Sequence, residues 1–476
     1  MNREGLPFFQ GKAEFGPMSP TAVKWCTEPS KIAEVGDVLI SVRAPIGPTN
    51  LSDMKCCIGR GLAAIRPHGQ VPTRLLLYYL RHSEPLLASK ATGTTFQAIS
   101  GKQLRNHPII VPPLPEQHRI VEAIESYFTR LDDAVATLER VQRNLKRYRA
   151  SVLKAAVEGR LVTTEAELAR AEGRDYEPAS VLLDRILAER RRRWEEAELA
   201  KMKAKGKTPK DDKWKAKYTE PVAPNVPRLP GLPDGWCWAS IDQLAHLVRN
   251  GYSKKPASDG AVRILRISAV RPMSVEFADA RWLPGSPKDY SRDLVEPGDL
   301  LFTRYNGSPA LVGVSGLVRS VDRPTVHPDK LIKVRFQAPE LDLAYLELAT
   351  NTGASRRFVE SRIRTTAGQA GISGGDLKQM PVPLPPRTEQ IRISGEAERL
   401  LSLADSARET LVANALRTAR LRQSILKSAF EGRLVDQDPS DEPASRLLER
   451  IEAERESAEG HPRRSRRRPT ARSSKA

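Results

Sequence analysis

The chain states most of itself twice. Residues 99–101 read ISG, and residues 372–374 read ISG again, 273 positions later. From there two copies run in step without a gap. LRNHPIIVPPLPEQHRI (104–120) matches LKQMPVPLPPRTEQIRI (377–393), and SVLKAAVEGRLV (151–162) matches SILKSAFEGRLV (424–435). EPASVLLDRI (177–186) returns as EPASRLLERI (442–451), and upstream EVGDVLI (34–40) returns as EPGDLLF (296–302). A spacing this long excludes a solenoid, whose units run to about 50 residues. It describes one two-part unit made twice, a variable module followed by a well-matched segment.

The well-matched segment reads as a long helix. A proline-rich run ends at Pro115 and leads into Glu116, a favourable place for a helix to begin. Apolar residues then recur at spacings of four and three: Ile120, Ile124, Tyr127, Leu131, Ala134, Leu138, Val141, Leu145, Tyr148, Val152 and Ala155. That heptad seam belongs to a coiled-coil strand. Gly159 stands where the helix would stop. At ~1.5 Å per residue, Glu116 to Glu158 makes a rod of ~65 Å. The second copy, Glu389 to Glu431, carries a smaller and more polar seam: Ile393, Ala397, Leu400, Ala404, Ala407, Leu411, Asn414, Thr418, Leu421, Ile425 and Ser428. Large residues facing small ones predict that the two helices pair with each other, with Asn414 as a polar position that fixes their register.

The variable modules read as mixed α/β. In the second, LPDGWCWASIDQLAHLV (232–248) enters a strand and a short helix through tryptophan. AVRILRISAV (261–270), GDLLFTR (298–304) and KLIKVRF (330–336) read as strands, and LAYLELATN (343–351) as a helix. The first module corresponds through GDVLISVR (36–43), GRGLAAIRP (59–67) and TRLLLYYLRH (73–82).

Net charge is +19, and its location matters more than its size. Residues 461–476 hold seven Lys/Arg and no acid, and residues 201–217 hold eight Lys against two Asp. Most of the excess is therefore assigned to a flexible linker and tail, which favours a polyanionic partner without proving one. Nothing approaches the ~18–20 apolar residues of a membrane span, and MNREGLPFFQGK lacks the pattern of a signal peptide. Four cysteines (Cys26, Cys56, Cys57 and Cys237) with no CxxC make neither a disulfide framework nor a zinc cage. A cytoplasmic chain is expected.

The common motifs of catalysis are missing. There is no GxxxxGK[ST] for ATP, no GxGxxG after a strand, no HExxH and no GxSxG. The Pro-Pro-aromatic motif of an amino-methyltransferase does not occur either. PKDDK (209–213) lies in the lysine-rich linker with no strand to hold a metal site. Neither catalytic nor metal-ligating residues are assigned.

Two variable modules, each followed by a PxPPxxEQxRI helix ending in EGRLV, resemble the specificity subunit of Type I restriction–modification systems. The match rests on LRNHPIIVPPLPEQHRI with VLKAAVEGRLV, on LKQMPVPLPPRTEQIRI with ILKSAFEGRLV, and on DGWCWASIDQL and EPGDLLFTR. The resemblance implies mixed α+β target-recognition domains, two in tandem, separated by two long helices that form an antiparallel coiled coil. It implies a non-catalytic chain that reads a bipartite DNA target and recruits two methyltransferase subunits and restriction subunits. Adenine-N6 methylation and ATP-dependent cleavage would then belong to the partners, as would S-adenosylmethionine, ATP and Mg. No cofactor is expected on this chain.

On this reading residues 1–113 are the first recognition domain, 114–162 the first long helix and 163–229 a charged, proline-rich linker. Residues 230–386 are the second recognition domain, 387–438 the second long helix and 439–476 a basic, disordered tail. Counting back from EVGD, the first domain is expected to have opened about 30 residues before Met1, so its opening strand and helix would be missing and a sheet edge uncovered.

Candidate DNA contacts are donor-rich side chains in module loops, because Arg and Asn suit bidentate reading of base edges. In the second module they are Lys254, Lys255, Arg304, Tyr305, Asn306, Ser308, Arg362, Arg364, Thr365, Thr366 and Gln369. In the first they are Arg43, Arg60, Thr94, Thr95 and Gln97. A coiled-coil interaction scaffold with nonspecific polyanion binding is the alternative. It would bind all duplexes equally.

Overall fold

A computed structural model describes residues 4–92, 97–206, 209, 211–336, 339–366 and 368–459. Part of the tail expected to be disordered is the helix Ala444–Glu459; its basic end 461–476 and candidates Thr94 and Thr95 lie outside the described residues. The chain divides into two compact units, Met1–Val141 with Thr410–Ala476, and Gln142–Glu409. Helices Leu114–Val157 and Arg387–Phe430 are each 44 residues long, and each gives one part to each unit.

The first unit is built on strand Val38–Ser41, which pairs antiparallel with Thr49–Leu51 on one side and Leu62–Ile65 on the other. A second sheet runs Lys24–Cys26, Leu6–Phe9, Cys56–Ile58 and Ile32–Ala33. Helix Thr73–His82 buries six consecutive residues, Leu75 to Leu80. Its core joins Ile120 and Ile124 of the first long helix to Leu426, Ala429 and Phe430 of the second.

The second unit repeats the plan and adds to it. Leu300–Thr303 pairs antiparallel with Ser315–Leu317 and Leu331–Phe336, and Ala245–Asn250 extends this sheet. Cys237–Ser240 closes onto Pro381–Leu384. Val262–Leu265 pairs antiparallel with Ala280–Leu283 and parallel with Thr325–Val326. Its core takes Val152, Ala156 and Val157 from the first long helix with Ile393, Ala397 and Leu401 from the second. Among the described residues, the first unit has no counterpart of strands Cys237–Ser240 and Ala245–Asn250.

The repeated motifs are local folding devices. In EVGD, Asp37 accepts the Glu34 N–H (2.9 Å) and holds Arg66 at 2.6 and 2.8 Å. In EPGD, Asp299 accepts the Glu296 N–H (2.8 Å) and holds Arg335 at the same two distances. The intervening Gly36 and Gly298 take φ of +85° and +93°, which a side chain resists. Each ISG places a serine at a helix start. Ser100 accepts from Gln103 N–H and Ser373 from Asp376 N–H, with the acceptor side chains returning the bond as a capping box. Gln117 and Gln390 each donate Nε2–H to a proline carbonyl, Pro112 and Pro385.

Within each unit the two helices run antiparallel. In the second, Arg149 meets Asp405 at 2.7 Å and donates to the Leu401 carbonyl. In the first, Arg422 pairs with Asp132 and lies over the Phe128 ring at 5.4 Å. The buried or half-buried stripe of the first helix contains Ile120, Ile124, Leu131, Leu138, Leu145 and Val152, as its periodicity predicts. The alternate positions are corrected by one residue. Phe128, Val135, Arg149 and Ala156 face inward, whereas Tyr127, Ala134, Val141 and Tyr148 are exposed and Ala155 is half-buried. Spacings of four-then-three and three-then-four fit one helix equally well when apolar residues stand side by side, and packing chooses between them.

On the second helix Ile393, Ala397, Ala404 and Thr418 are buried and Leu400, Leu411, Ile425 and Ser428 half-buried. Asn414, Leu421 and Ala407 are exposed, so Asn414 does not set a register from inside a seam. The polar group inside is Thr418, whose hydroxyl donates to the Asn414 carbonyl at 2.9 Å.

The lysine-rich stretch also departs from expectation. Helix Ala179–Ala204 is followed by a short turn of helix, Asp212–Lys217, in which Trp214 is buried and stacks on Trp194 with ring centroids 6.0 Å apart. Tyr218 packs edge-on against Trp194, and the Ser240 hydroxyl donates to the Val222 carbonyl at 2.5 Å. Two aromatic side chains pin a segment that composition alone assigns to loose chain. No helix among the described residues is long and apolar enough to cross a membrane.

Candidate nucleic-acid interface

Past the end of Leu300–Thr303, the chain crosses into a second small sheet. Tyr305–Asn306 pairs with Gln369–Gly371, which pairs in turn with Arg364–Thr366. This three-stranded sheet brings Tyr305, Asn306, Gln369, Arg364, Thr365 and Thr366 together from two stretches of sequence 60 residues apart. Arg364, Thr365 and Gln369 are exposed. Asn306 uses Oδ1 to accept the Ser308 N–H at 3.0 Å, which closes the Gly-Ser loop and leaves its amide N–H groups as donors. Arg362, two residues before this sheet, lies over the Phe358 ring at 5.2 Å.

The Asp376 carboxyl stands beside these cations. Burial raises its pKa, but bonds from Ser373 and the charges of Arg364 and Arg362 outweigh that and hold it below the usual carboxylate range. The two arginines are therefore partly balanced from behind.

Arg304 is committed to its own module. Its main-chain N–H donates to the Lys330 carbonyl (2.9 Å), its Nη1–H to the Asp329 carbonyl (3.3 Å), and its guanidinium covers the Tyr305 ring at 4.7 Å. It orients Tyr305 and has little reach left for a base. Lys254 and Lys255 are exposed on a loop held to the same turn, where Asp329 N–H donates to the Tyr252 carbonyl at 2.8 Å. That turn supplies a residue not singled out from sequence, the half-buried Lys330. The signal was a Pro-Asp-Lys turn opening a strand, which reads as punctuation and not as a site.

The first unit builds the corresponding loop with other side chains. Arg43 bridges to Ala98, Ala44 N–H donates to the Gln97 carbonyl (3.2 Å), and Val42 N–H donates to Gly61, next to Arg60. Arg43, Arg60 and Gln97 are thus brought together and all three are exposed. Counting from the EVGD and EPGD turns, Arg43 occupies the place of Tyr305, and Gly61 accepts from Val42 as Lys330 accepts from Arg304. The backbone is the same and the side chains are not.

Among the described residues, no group of three His, Cys, Asp or Glu is placed to hold a metal ion.

Residues 27–141 match the model of the Type I restriction modification DNA specificity domain. The chain is 30% identical over 419 residues to the Type I restriction enzyme EcoKI specificity subunit of Escherichia coli K12, covering 85% of this chain and 77% of that one. The chain belongs to the Type I restriction enzyme specificity subunits. The StySPI specificity subunit of Salmonella potsdam is 25% identical over 84% of this chain and 76% of its own length. A solved chain from a type I R-M system shares the fold, with a TM-score of 0.56 over 90% of this chain and 92% of that chain at 18% identity. In a specificity subunit, paired scaffolds with unlike loops have a ready meaning, because the loops are where two copies would diverge to read different sequences.

Proposed function

We propose that the chain is the DNA target-recognition subunit of a Type I restriction–modification complex. Each unit reads one half of a two-part target. The observation that carries this is the pair of corresponding loops on one repeated backbone, Arg43–Gln97 in the first unit and Tyr305–Asn306 with Gln369 in the second. Two corresponding loops with different donors are what a bipartite, asymmetric site requires.

The chain itself supplies recognition and no chemistry. Methyltransferase subunits, two of them, bring S-adenosylmethionine and modify adenine, and restriction subunits bring ATP- and Mg-dependent cleavage. The exposed residues Arg364, Thr365, Gln369 and the Asn306 amide are assigned to the second half-site, with Arg43, Arg60 and Gln97 on the first. Lys254, Lys255 and Lys330 are assigned to phosphate, which positions the duplex without reading it.

Co-expression with methyltransferase subunits, followed by mapping of methylated adenines, tests the reading. Two short motifs at a fixed gap are expected. A contiguous motif, or DNA binding with no sequence preference, would overturn it.

A further inference from the structure

In each unit, three residues from three stretches of chain stand side by side at the reading loop. In the second unit Tyr305 pairs with Gly371, and Gly371 pairs in turn with Arg364. In the first unit Arg43 bridges to Ala98, and Ala98 to Thr92. The two rows hold corresponding places. Ile372 N–H donates to the Arg304 carbonyl at 3.0 Å, and Ile99 N–H donates to the Val42 carbonyl at the same distance. Residues directly opposite one another share a face, so each row is one line of side chains. It reads Tyr-Gly-Arg in the second unit and Arg-Ala-Thr in the first.

The centres of the two rows differ for a steric reason. A Cβ on Gly371 would stand 2.3 and 2.5 Å from Cδ1 and Cε1 of Tyr305, far inside van der Waals contact. The φ of Gly371 is not positive, so the backbone does not call for glycine there. The ring does. It occupies the space that a side chain at 371 would need, and Gly371 is buried. The Arg304 guanidinium, 4.7 Å from the ring centroid and tied to the Asp329 carbonyl, holds the ring in that place.

The first unit needs no such gap. Arg43 is exposed, and Ala98 beside it is half-buried with its methyl group in place. An arginine flank thus goes with alanine at the centre, and a tyrosine flank goes with glycine. The third place differs too, with exposed Thr92 where the second unit has exposed Arg364.

We propose that Gly371 is the positioning residue of the second half-site. Lacking a side chain, it admits the Tyr305 ring to the row, and Tyr305 with Arg364 reads one position of that half. Arg43 and Thr92 read the corresponding position of the first half. A phenol beside a guanidinium offers bases a different set of donors and acceptors from a guanidinium beside a threonine, so the two halves prefer different bases. This rests on the DNA reading proposed above and adds the residue that sets the reader in place.

The test maps methylated adenines after co-expression with methyltransferase subunits, and measures binding of the assembled complex to a duplex carrying the mapped site. Gly371→Ala is expected to relax preference at one position of the second half, to leave the first half unaltered and to weaken binding about tenfold. Tyr305→Arg, which installs the flank of the first unit, should alter preference at the same position. On that background Gly371→Ala should cost less than about twofold more, because the ring it displaces has gone; such non-additivity marks residues that act together. A ring that merely shields a glycine in the sheet gives a different result: Gly371→Ala lowers the thermal midpoint and the motif stays unchanged, which overturns the proposal. Equal cost of Gly371→Ala in both backgrounds overturns it, as does Tyr305→Arg with an unmoved motif, a result that stands whether or not Gly371→Ala folds. A wild-type chain that yields no two-part motif removes the DNA reading and this proposal with it. A two-part motif that these variants leave untouched removes this proposal alone.

Discussion

Arg149 meets Asp405 at 2.7 Å, and the pair shifted by the 273-residue repeat is Arg422 with Asp132, which the first unit also makes. The same ion pair is thus drawn twice by one antiparallel register, in which an arginine of one helix always finds an aspartate of the other. Both pairs are substantially exposed, so each contributes well under about 1 kcal/mol. They report alignment more than they supply stability.

That geometry makes a charge exchange informative. Arg149→Asp places two carboxylates face to face and is expected to lower the thermal midpoint by roughly 1–3 °C for a chain of this size. Adding Asp405→Arg should recover most of the loss. If the two effects simply add, the residues do not face one another.

His327 gives the second unit a defined acid response. Burial lowers its pKa to about 4 from an ordinary 6.5, although bonds to the Asp293 and Arg249 carbonyls pull the other way. The fold holds the neutral ring, so its stabilisation is complete above pH 6.5 and is lost as pH falls toward 4. The shift is worth roughly 3 kcal/mol. Denaturant melts read by tryptophan fluorescence should show the decline over this window, with His246 adding in the same direction. His327→Gln should be less stable at pH 7 and should show a shallower decline over this window, the remainder coming from His246.

The Asp–Arg clamps at the two repeated turns differ in depth. Asp299 is fully buried and its partner Arg335 mostly so, whereas Arg66 beside Asp37 is 59% exposed. Asp299→Ala is expected to destabilise by about 2–4 kcal/mol, since it strands a guanidinium in a partly dry site. Asp37→Ala should cost less than half as much. Neither should change the DNA sequence that is methylated; a changed sequence would mean that these turns touch the target.

Arg364→Ala and Arg43→Ala separate the half-sites. Each is expected to weaken binding by about 1–3 kcal/mol and to relax preference in one half of the target only. Methylation maps of the two variants check this. Relaxation in both halves from one substitution would rule out the division of labour.

The two long helices were legible in the sequence, because heptad periodicity determines local structure. ISG and ExGD were legible only as repeats; that their serines cap helices and their glycines turn the chain emerges from the structure. What escaped was decided by contacts at a distance. Tyr127 and Phe128 are neighbours of similar character, and only the partner helix selects Phe128. The phase of Asn414 along the helix predicts a buried register residue, yet that face is exposed there. Trp214 sits among lysines, and nothing nearby in sequence announces that Trp194 will stack on it. The small sheet that gathers Asn306, Gln369 and Arg364 joins strands of two or three residues, too short to carry a periodicity.

The division of the long helices between units has a consequence for the order of synthesis. Every residue of the second unit has been translated once Glu409 is added, because that unit is continuous from Gln142. The first unit must wait for Leu426, Ala429 and Phe430 to cover Ile120 and Ile124, about 300 residues after those isoleucines were made. The half that leaves the ribosome first is therefore finished last. A chain stopped after Glu409 should resist protease across 142–409 while residues 4–141 are cut, and its exposed isoleucines would make it prone to aggregate.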